Sequence, residues 1–329
     1  MNGVLVMISI AMTSYNGEKF IREQIDSILN QTYSDFELII GDDCSTDSTR
    51  NILQEYKQKD PRIKLCLNEK NLGFKKNFEN VINQCTGDYI AFSDQDDVWE
   101  LNKLQLCLEK INDAAFVCTD ATEVDEKLNP LGYTLKECLG LTEVPSDSKE
   151  LIKNLVHHNF VQGATILAKS EFIKRCLPIP EDIRFHDWYF ALCAALDGRK
   201  IEYLNQPTLL YRQHGGNVTT NVKRNTLEQL KPSGYSREKF VNESLKEADE
   251  KLLFIQIISE NNSDPAIQKY LEDTKLYFKA LPEKKFYTLL YKLKYFHYMV
   301  WDHRTFKKYL LLSKNFVGYL LFRIKSIKH

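Results

Sequence analysis

Continuous apolar runs alternate with amphipathic segments over the first 120 residues of the chain. A continuous apolar run is typical of a parallel strand that is buried on both faces. The predicted strands are 4–12, 36–43, 62–68, 87–93 and 114–120. Apolar side chains recur at helical spacing between them, and the predicted helices are 18–31, 45–58, 75–85 and 100–112. This alternation predicts an α/β fold with a mainly parallel twisted sheet, flanked by helices and joined by right-handed crossovers.

The alternation becomes less regular after residue 120. The further predicted elements are strands at 161–169 and 206–214 and helices at 170–177 and 187–196. From about residue 236 long helical patterns with few turn signals predict a C-terminal helical extension. We therefore expect the sheet to lie within residues 1–225 and a helical region to occupy 226–329.

Charge is distributed unevenly, although the formal net charge is only −1. Residues 281–329 carry eleven lysines and arginines against two acids, and they are rich in aromatic side chains. This composition is typical of a segment that binds an anionic membrane surface. The alternative is a set of helices that pack on the rest of the chain and leave their lysines in water. A nucleic-acid partner is not expected, because the acidic remainder of the chain would repel a polyanion.

Cysteine usage and the N-terminus bear on location. The eight cysteines form no CxxC pair and several lie in apolar runs, which is typical of reduced core thiols in a cytoplasmic protein. Residues 1–17 lack the features of a signal peptide, and no run reaches 18 apolar residues. We therefore expect a cytoplasmic protein that is peripheral on the inner face of the plasma membrane.

Polar side chains follow the ends of the predicted strands. They are Thr13–Asn16, then Asp42 and Asp43, then Asn71–Gly73, and then Asp94, Asp96 and Asp97. Ligands bind outside the carboxyl ends of the strands in open α/β sheets. Taken singly, the first segment also fits a plain turn and the second a helix N-cap. Three clustered carboxylates repel one another in a surface loop, whereas a divalent cation would use their oxygens as ligands.

These segments together resemble the inverting glycosyltransferases of family 2, which have a GT-A nucleotide-sugar-binding fold. The similarity extends from about Ile8 to Asn217 and includes TSYNGEKF, GDDCSTDST, NLGF and SDQDDVW. Ser14 stands where the family usually has proline. The segments SDQDDVW, HDWYFAL and YRQHGGN are most similar to the rhamnosyltransferase-type subgroup.

The resemblance implies a metal cofactor and a donor site at the strand ends. Asp96 and His214 would bind Mn²⁺ or Mg²⁺, with Asp94 and Asp97 supporting, although the division of roles among the three acids stays open. The other implied donor-binding residues are Ser14 and Tyr15 at the base and ribose, Asp42 or Asp43 at the pyrimidine N3–H, Asn71, Asp94 at the ribose or the metal's water shell, and Arg212 at the diphosphate.

The resemblance also implies a catalytic base, because an inverting displacement needs one group to deprotonate the acceptor hydroxyl. Asp187 matches the position of the family's base, and it also fits the N-terminal cap of the predicted helix. The implied acceptor or sugar pocket contains Gly163, His186 and Trp188.

The implied activity is inverting transfer of a sugar, with rhamnose favoured, from dTDP-rhamnose or a UDP-sugar. The acceptor would be a hydroxyl of a glycan or a lipid-linked saccharide in surface polysaccharide synthesis. Residues 1–120 would then be the nucleotide-binding half of the catalytic domain and 121–225 the acceptor half. A metal-dependent nucleotidyltransferase is a weaker alternative, because TSYNGEKF is a poor triphosphate loop. A non-catalytic nucleotide-sugar-binding scaffold is disfavoured because every implied catalytic and metal-binding residue is present.

Overall fold

A computed structural model describes residues 6–141, 143–217 and 237–280. Its strands are β1 (Ile8–Ser14), β2 (Phe36–Asp42), β3 (Ile63–Leu67), β4 (Tyr89–Ser93), β5 (Val98–Trp99), β6 (Phe116–Val124), β7 (Pro130–Thr134), β8 (Leu167–Lys169) and β9 (Ile201–Arg212). Its α-helices are α1 (Ile21–Leu29), α2 (Thr49–Lys59), α3 (Phe74–Gln84), α4 (Lys103–Ile111), α5 (Leu135–Leu139), α6 (Ser148–Leu155), α7 (Ser170–Arg175), α8 (His186–Leu196), α9 (Arg237–Asn261) and α10 (Pro265–Ala280).

The strands form one sheet in the order β3-β2-β1-β4-β8-β6-β9-β5, and β7 pairs with β6. Strand β8 is antiparallel to both β4 and β6, so these two strands point the same way. Strands β1 to β4, β6 and β9 therefore share one direction, and β5, β7 and β8 oppose it. The predicted α/β class with a mainly parallel sheet is confirmed.

Strands β1, β2 and β4 are almost completely buried because the crossover helices cover the sheet. Strand β2 is buried at every position, and α1 contributes Ile21, Ile25 and Ile28 to the same apolar core. Ser14 pairs in register with Asp42, the last residue of β2, and Met12 pairs with Ser93, the last residue of β4. The loops that follow β1, β2 and β4 therefore leave the sheet at one edge.

The predicted strand at 161–169 is wrong for most of its length. Residues Gly163–Thr165 form a turn of 3₁₀ helix, and only Leu167–Lys169 is a strand. The turn is stable because the N–H of Ile166 donates to the carbonyl of Gly163 and the Thr165 hydroxyl donates to that of Gln162. The predicted strand at 206–214 starts earlier, at Ile201, and ends at Arg212, so His214 lies in the following turn.

The chain divides into two compact units, and the second contains residues 140–143, 152–158 and 223–329. Within it, His157 Nε2 lies 2.7 Å from the hydroxyl of Tyr270, which donates to the carbonyl of Lys153 at 3.1 Å. The described part of the C-terminal extension is helical, as predicted. The boundary near residue 225 and the basic segment 281–329 lie outside the described residues, so both stay predictions.

Two observations bear on the predictions from composition. All eight cysteines lie in the described ranges and none forms a disulfide. Within those ranges, no helix combines the length and apolar character needed to cross a bilayer.

A buried carboxylate, that of Glu37, connects the strands at the edge where β1 and β2 begin, opposite to the edge where their following loops leave the sheet. Glu37 accepts hydrogen bonds from the Ser9 hydroxyl (2.6 Å) and the Thr86 N–H (2.7 Å), and it pairs with Lys64 at 2.5 Å. Burial alone would raise the pKa of Glu37, but these partners lower it to about 2. Glu37 therefore stabilises the fold above the pKa of an unfolded glutamate, about 4.3. This contribution is lost as the pH falls from there through about 2.

We expect Glu37→Gln to lower the free energy of unfolding by about 2 kcal/mol at neutral pH, because hydrogen bonds to a charged acceptor are lost. Glu55→Gln is the matched control, since Glu55 pairs with Arg22 on the surface and such pairs contribute at most about 1 kcal/mol. Urea unfolding between pH 2 and 7 measures both. Equal losses in the two variants, or an unchanged pH dependence in Glu37→Gln, would contradict the role of Glu37.

Candidate active site

Asp42 is the last residue of β2, and its side chain is fully buried. Its Oδ1 accepts hydrogen bonds from the hydroxyls of Ser14 (3.4 Å) and Ser45. Its Oδ2 accepts them from the N–H of Ser45 (3.0 Å) and from Nε of Arg50 (2.6 Å). Each carboxylate oxygen offers two lone pairs. The four hydrogen bonds from protein groups therefore occupy all four lone pairs of the Asp42 carboxylate.

Asp43 organises the loop that follows β3. Its Oδ1 accepts hydrogen bonds from Nδ2 of Asn68 (3.0 Å) and the N–H of Leu72 (2.8 Å), while Oδ2 accepts the N–H of Gly73 at 2.8 Å. Oδ1 of the exposed Asn71 accepts the same Gly73 N–H at 3.0 Å. Gly73 has φ +81°, a conformation that favours glycine. Asp43 thus keeps one accepting position on Oδ2.

Tyr15 follows β1 at the same edge of the sheet. Its side chain is among the most exposed large apolar groups in the described residues, with 46% of its surface in water. The neighbouring Ser14 is buried and donates to Asp42. The backbone N–H and carbonyl of Tyr15 form hydrogen bonds with the side-chain amide of Gln95, a residue that was not selected from the sequence.

The three acids after β4 have different surroundings. Asp97 is buried, its Oδ1 accepts the N–H of Arg212 at 3.1 Å, and its Oδ2 has no hydrogen-bond partner among the described residues. Burial and the neighbouring charges of Asp96 and Asp94 raise the pKa of Asp97. Burial, followed by the charges of Asp96 and Asp187, raises the pKa of Asp94 to about 7. The three carboxylates therefore repel one another, as their close spacing in the sequence predicts.

A buried cation, which sequence reasoning missed, lies beside this cluster. Lys103 begins α4 and is 1% exposed, and its Nζ donates to the carbonyl of Ala164 at 2.5 Å. Burial lowers the pKa of Lys103 to about 8, and the charges of Cys107, Asp97 and Asp94 oppose this effect. Burial and a helix N-terminus both disfavour an ammonium group. The nearby negative charges of Asp97 and Asp94 offset these unfavourable effects. Lys103 therefore acts as a counter-charge to these carboxylates.

Asp96 and His214 form the pair that the resemblance assigns to the metal. Asp96 Oδ2 lies 2.8 Å from His214 Nε2, and the N–H of Gly216 donates to the other ring nitrogen at 3.1 Å. The ring of Phe20 packs 4.8 Å from the imidazole. Across the described ranges, no three histidine, cysteine or acidic side chains are grouped as a complete metal site. Asp96 fits a magnesium-type site, because such an ion commonly takes one or two carboxylates and completes its shell with substrate phosphates. His214 would add a neutral imidazole nitrogen, which is a common metal ligand in proteins.

The guanidinium of Arg212 is buried and bonded to protein oxygens. Its Nε donates to the carbonyl of Asp96 and its Nη1 to that of Glu126, both at 2.6 Å. Nη2 pairs with the carboxylate of Glu23, and the group lies 4.6 Å from the centre of the Phe20 ring. Arg212 therefore holds the acidic segment in place, and its predicted contact with a diphosphate stays a prediction.

Asp187 lies in the first turn of α8. Its Oδ1 accepts hydrogen bonds from Nδ2 of Asn159 (3.1 Å) and the N–H of Trp188 (2.6 Å), and its Oδ2 accepts the N–H of Gly163 at 2.9 Å. Burial raises the pKa of Asp187 to about 6, although these bonds act in the opposite direction. The cap prediction is wrong, because α8 begins one residue earlier at His186 and its N-cap is Phe185, so Asp187 lies inside the first turn. The carboxylate remains basic enough to accept a proton near neutral pH.

His186 lies in an aromatic cage, and within the described part of the chain neither of its ring nitrogens has a hydrogen-bond partner. Its ring centre is 4.6 Å from that of Phe78 and 5.8 Å from that of Phe92. Burial lowers its pKa to about 4, so the imidazole is neutral at physiological pH. A Cβ at Gly163 would lie 3.0 Å from Nε2 of His186, so glycine permits this close approach. Trp188 is also buried, and the acceptor roles of these three residues stay predictions.

Residues 9–173, half of the chain, match the model of glycosyl transferase family 2. The chain belongs to this family and is a glycosyltransferase. The dTDP-rhamnosyl transferase RfbG of Shigella flexneri is 29% identical over 252 residues, which cover 69% of this chain and 81% of RfbG. The Bacillus subtilis (strain 168) glycosyltransferase TuaG, named for teichuronic acid biosynthesis, is 40% identical over 103 residues. That match spans 31% of this chain and only 41% of TuaG.

Solved structures confirm the GT-A fold. S. aureus TarS in complex with UDP-GlcNAc has a TM-score of 0.60 and 19% identity, over 83% of this chain and 72% of that chain. The Pyrobaculum calidifontis mannosyltransferase PcManGT, solved with GDP-Man and Mn²⁺, has a TM-score of 0.54 and 16% identity, over 82% of this chain and 69% of that chain. At these identities the structures establish the fold alone.

Proposed function

We propose that this glycosyltransferase transfers a sugar, with inversion, from a pyrimidine nucleoside diphosphate to a hydroxyl of a glycan or lipid-linked acceptor in surface polysaccharide synthesis. The observation that carries the proposal is the composition of one sheet edge. The accepting carboxylate of Asp43 and the Asp96–His214 pair follow strands that end there. The negative charge of the buried Asp187 raises the pKa of Asp94, which belongs to the acidic segment at this edge.

Asp43 is the better candidate for the pyrimidine N3–H. Asp42 already accepts four hydrogen bonds from the protein, whereas Asp43 accepts three and keeps one position on Oδ2. In this assignment Asp42 fixes the end of β2, and the exposed ring of Tyr15 lies along the base or ribose. Ser14 supports Asp42 through its hydroxyl.

Asp96 and His214 are the residues that would hold the divalent ion, with Asp94 and Asp97 supporting. When bound, Mn²⁺ or Mg²⁺ would neutralise the negative charge that the departing nucleoside diphosphate acquires. The presence of Mn²⁺ in the PcManGT structure supports this choice of cofactor. Arg212 keeps the Asp96 segment in position through its bond to the Asp96 carbonyl.

Asp187 is the proposed base. Its hydrogen bonds from Asn159 and Gly163 fix the orientation of the carboxylate, and burial brings its pKa close to the working pH. The neutral His186 and the close-packed Gly163 shape the pocket beside it. The acceptor hydroxyl would lose its proton to Asp187 as it attacks the anomeric carbon.

The donor sugar is inferred from the similarity to RfbG and from the subgroup resemblance. We propose dTDP-rhamnose as the first donor and UDP-hexoses as the second. The name of RfbG supports a rhamnosyl donor, while TarS was solved with UDP-GlcNAc.

Asp96→Ala tests the metal role. We expect calorimetry to show that Mn²⁺ strengthens binding of dTDP or UDP to the wild-type protein. This metal effect should fall by at least about tenfold in the variant, because a direct ligand is lost. Asp113→Ala, which removes an exposed carboxylate, is the control and should behave as the wild type. An unchanged metal effect in Asp96→Ala would remove this residue from the metal site.

Asp187→Asn tests the base. The amide cannot accept the acceptor's proton, so we expect turnover to fall by about 10²–10⁴-fold, the usual contribution of a general base. Nucleotide affinity should barely change. For the wild type, kcat/KM should rise as the pH increases through about 6, because only the ionised carboxylate is a base.

Asn159→Ala is the matched control for Asp187→Asn, because it removes one hydrogen bond to the same carboxylate and leaves the base intact. That bond lowers the pKa of Asp187. The ascending limb of the pH profile should therefore move to higher pH, while the plateau stays near the wild-type value. If Asp187→Asn keeps more than about a tenth of wild-type turnover, the residue has a structural role only.

The basic segment 281–329 is proposed to bind anionic membranes. We expect Lys307→Glu/Lys308→Glu to reduce cosedimentation with phosphatidylserine vesicles by about tenfold or more, since each basic residue near such a surface contributes about 1 kcal/mol. Lys57→Glu/Lys59→Glu, at two exposed positions of α2, carries the same charge change and should have a smaller effect. Circular dichroism checks that both variants fold. If the two variants reduce vesicle binding equally, or if the wild-type protein binds neutral vesicles as strongly as anionic ones, the proposal that residues 281–329 bind anionic membranes is contradicted.

A further inference from the structure

The side chain of Gln95 makes two hydrogen bonds to the backbone of a single residue. Its Oε1 accepts the N–H of Tyr15 at 2.9 Å, and its Nε2 donates to the carbonyl of Tyr15 at 3.1 Å. The register between β1 and β4 ends at Met12 and Ser93. The Gln95 amide therefore continues the pairing of these two chain segments beyond the last residues of the strands.

Gly17 provides the space that this amide occupies. A Cβ at Gly17 would lie 2.2 Å from Oε1 and 2.6 Å from Cδ of Gln95, and the three nearest atoms all belong to that side chain. The φ of Gly17 lies outside the left-handed region, so its backbone conformation does not itself require glycine. The amide of Gln95 is thus the group that excludes a larger residue at this position.

The two segments that Gln95 joins contribute to opposite ends of the proposed donor site. Tyr15 and Ser14 are assigned to the base and ribose. Asp94 and Asp96, which flank Gln95, are assigned to the metal and diphosphate. The distance between these groups has to match one nucleoside diphosphate if both ends are to bind it at once.

We propose that Gln95 is a positioning residue, which fixes the base-binding loop at 14–17 relative to the metal-binding carboxylates. The inference rests on the proposed function for the identity of the ligand. It adds that the middle residue of the acidic segment acts through the backbone of Tyr15, without touching the donor.

The first test compares a ligand that spans both ends with one that contacts a single end. Gln95→Met keeps the length of the side chain and removes both hydrogen bonds. We expect the Kd of UDP or dTDP in the presence of Mn²⁺ to rise by about tenfold, since two hydrogen bonds are lost. The Kd of the matching nucleoside, uridine or thymidine, should stay within about twofold of wild type. Equal weakening of nucleoside and nucleotide, or no change in either, would overturn the proposal.

The second test needs no ligand. Gly17→Ala should lower the Tm of the wild-type protein, because its methyl group displaces the amide, and it should have little effect in a Gln95→Ala background. An equal loss of Tm in both backgrounds would show that the amide does not occupy this space, and would overturn the proposal. A wild-type protein that binds neither nucleoside nor nucleotide would contradict the proposed function instead. The unfolding measurement would still decide whether Gln95 joins the two loops.

Discussion

The charge balance around the acidic segment after β4 is the constraint on which the site depends. Asp94, Asp96 and Asp97 repel one another, and Asp97 is buried with one oxygen that lacks a partner in the described ranges. Two buried cations, Lys103 and Arg212, oppose this repulsion or hold the segment in place. A carboxylate cluster at the end of a buried strand is therefore stable because the protein supplies part of its own counter-charge. A divalent ion would supply the rest.

Lys103 also connects the acidic segment with the proposed base. Lys103 donates to the carbonyl of Ala164, and the preceding residue, Gly163, donates its N–H to Asp187. The 3₁₀ turn at Gly163–Thr165 is thus held between the counter-charge of the acidic segment and the proposed base. A sheet strand at these positions would leave neither backbone group free to make these contacts.

Sequence patterns predicted the elements with strong periodicity and the edge of the sheet where polar residues collect. They failed at 161–169, because the turn there depends on a contact to Asp187, far away in sequence, as well as on its own local hydrogen bonds. Lys103 lies in the predicted helix 100–112 and was not selected as a site residue, although its neighbours Leu104 and Cys107 on the buried face were a usable signal. The choice between Asp42 and Asp43 depends on which donors surround each carboxylate, and spacing alone does not contain that information.

The proposed function requires that the Asp96–His214 pair bind a divalent ion together with the diphosphate of a pyrimidine nucleotide. Phosphorus NMR relaxation of dTDP or UDP, measured with the wild-type protein and Mn²⁺, tests it most directly, because a paramagnetic ion accelerates relaxation only of nuclei close to it. We expect both phosphorus nuclei to relax much faster in the ternary complex than with protein and Mg²⁺. Nucleotide that binds equally well without a divalent ion, and whose phosphorus nuclei are unaffected by protein-bound Mn²⁺, would contradict the claim.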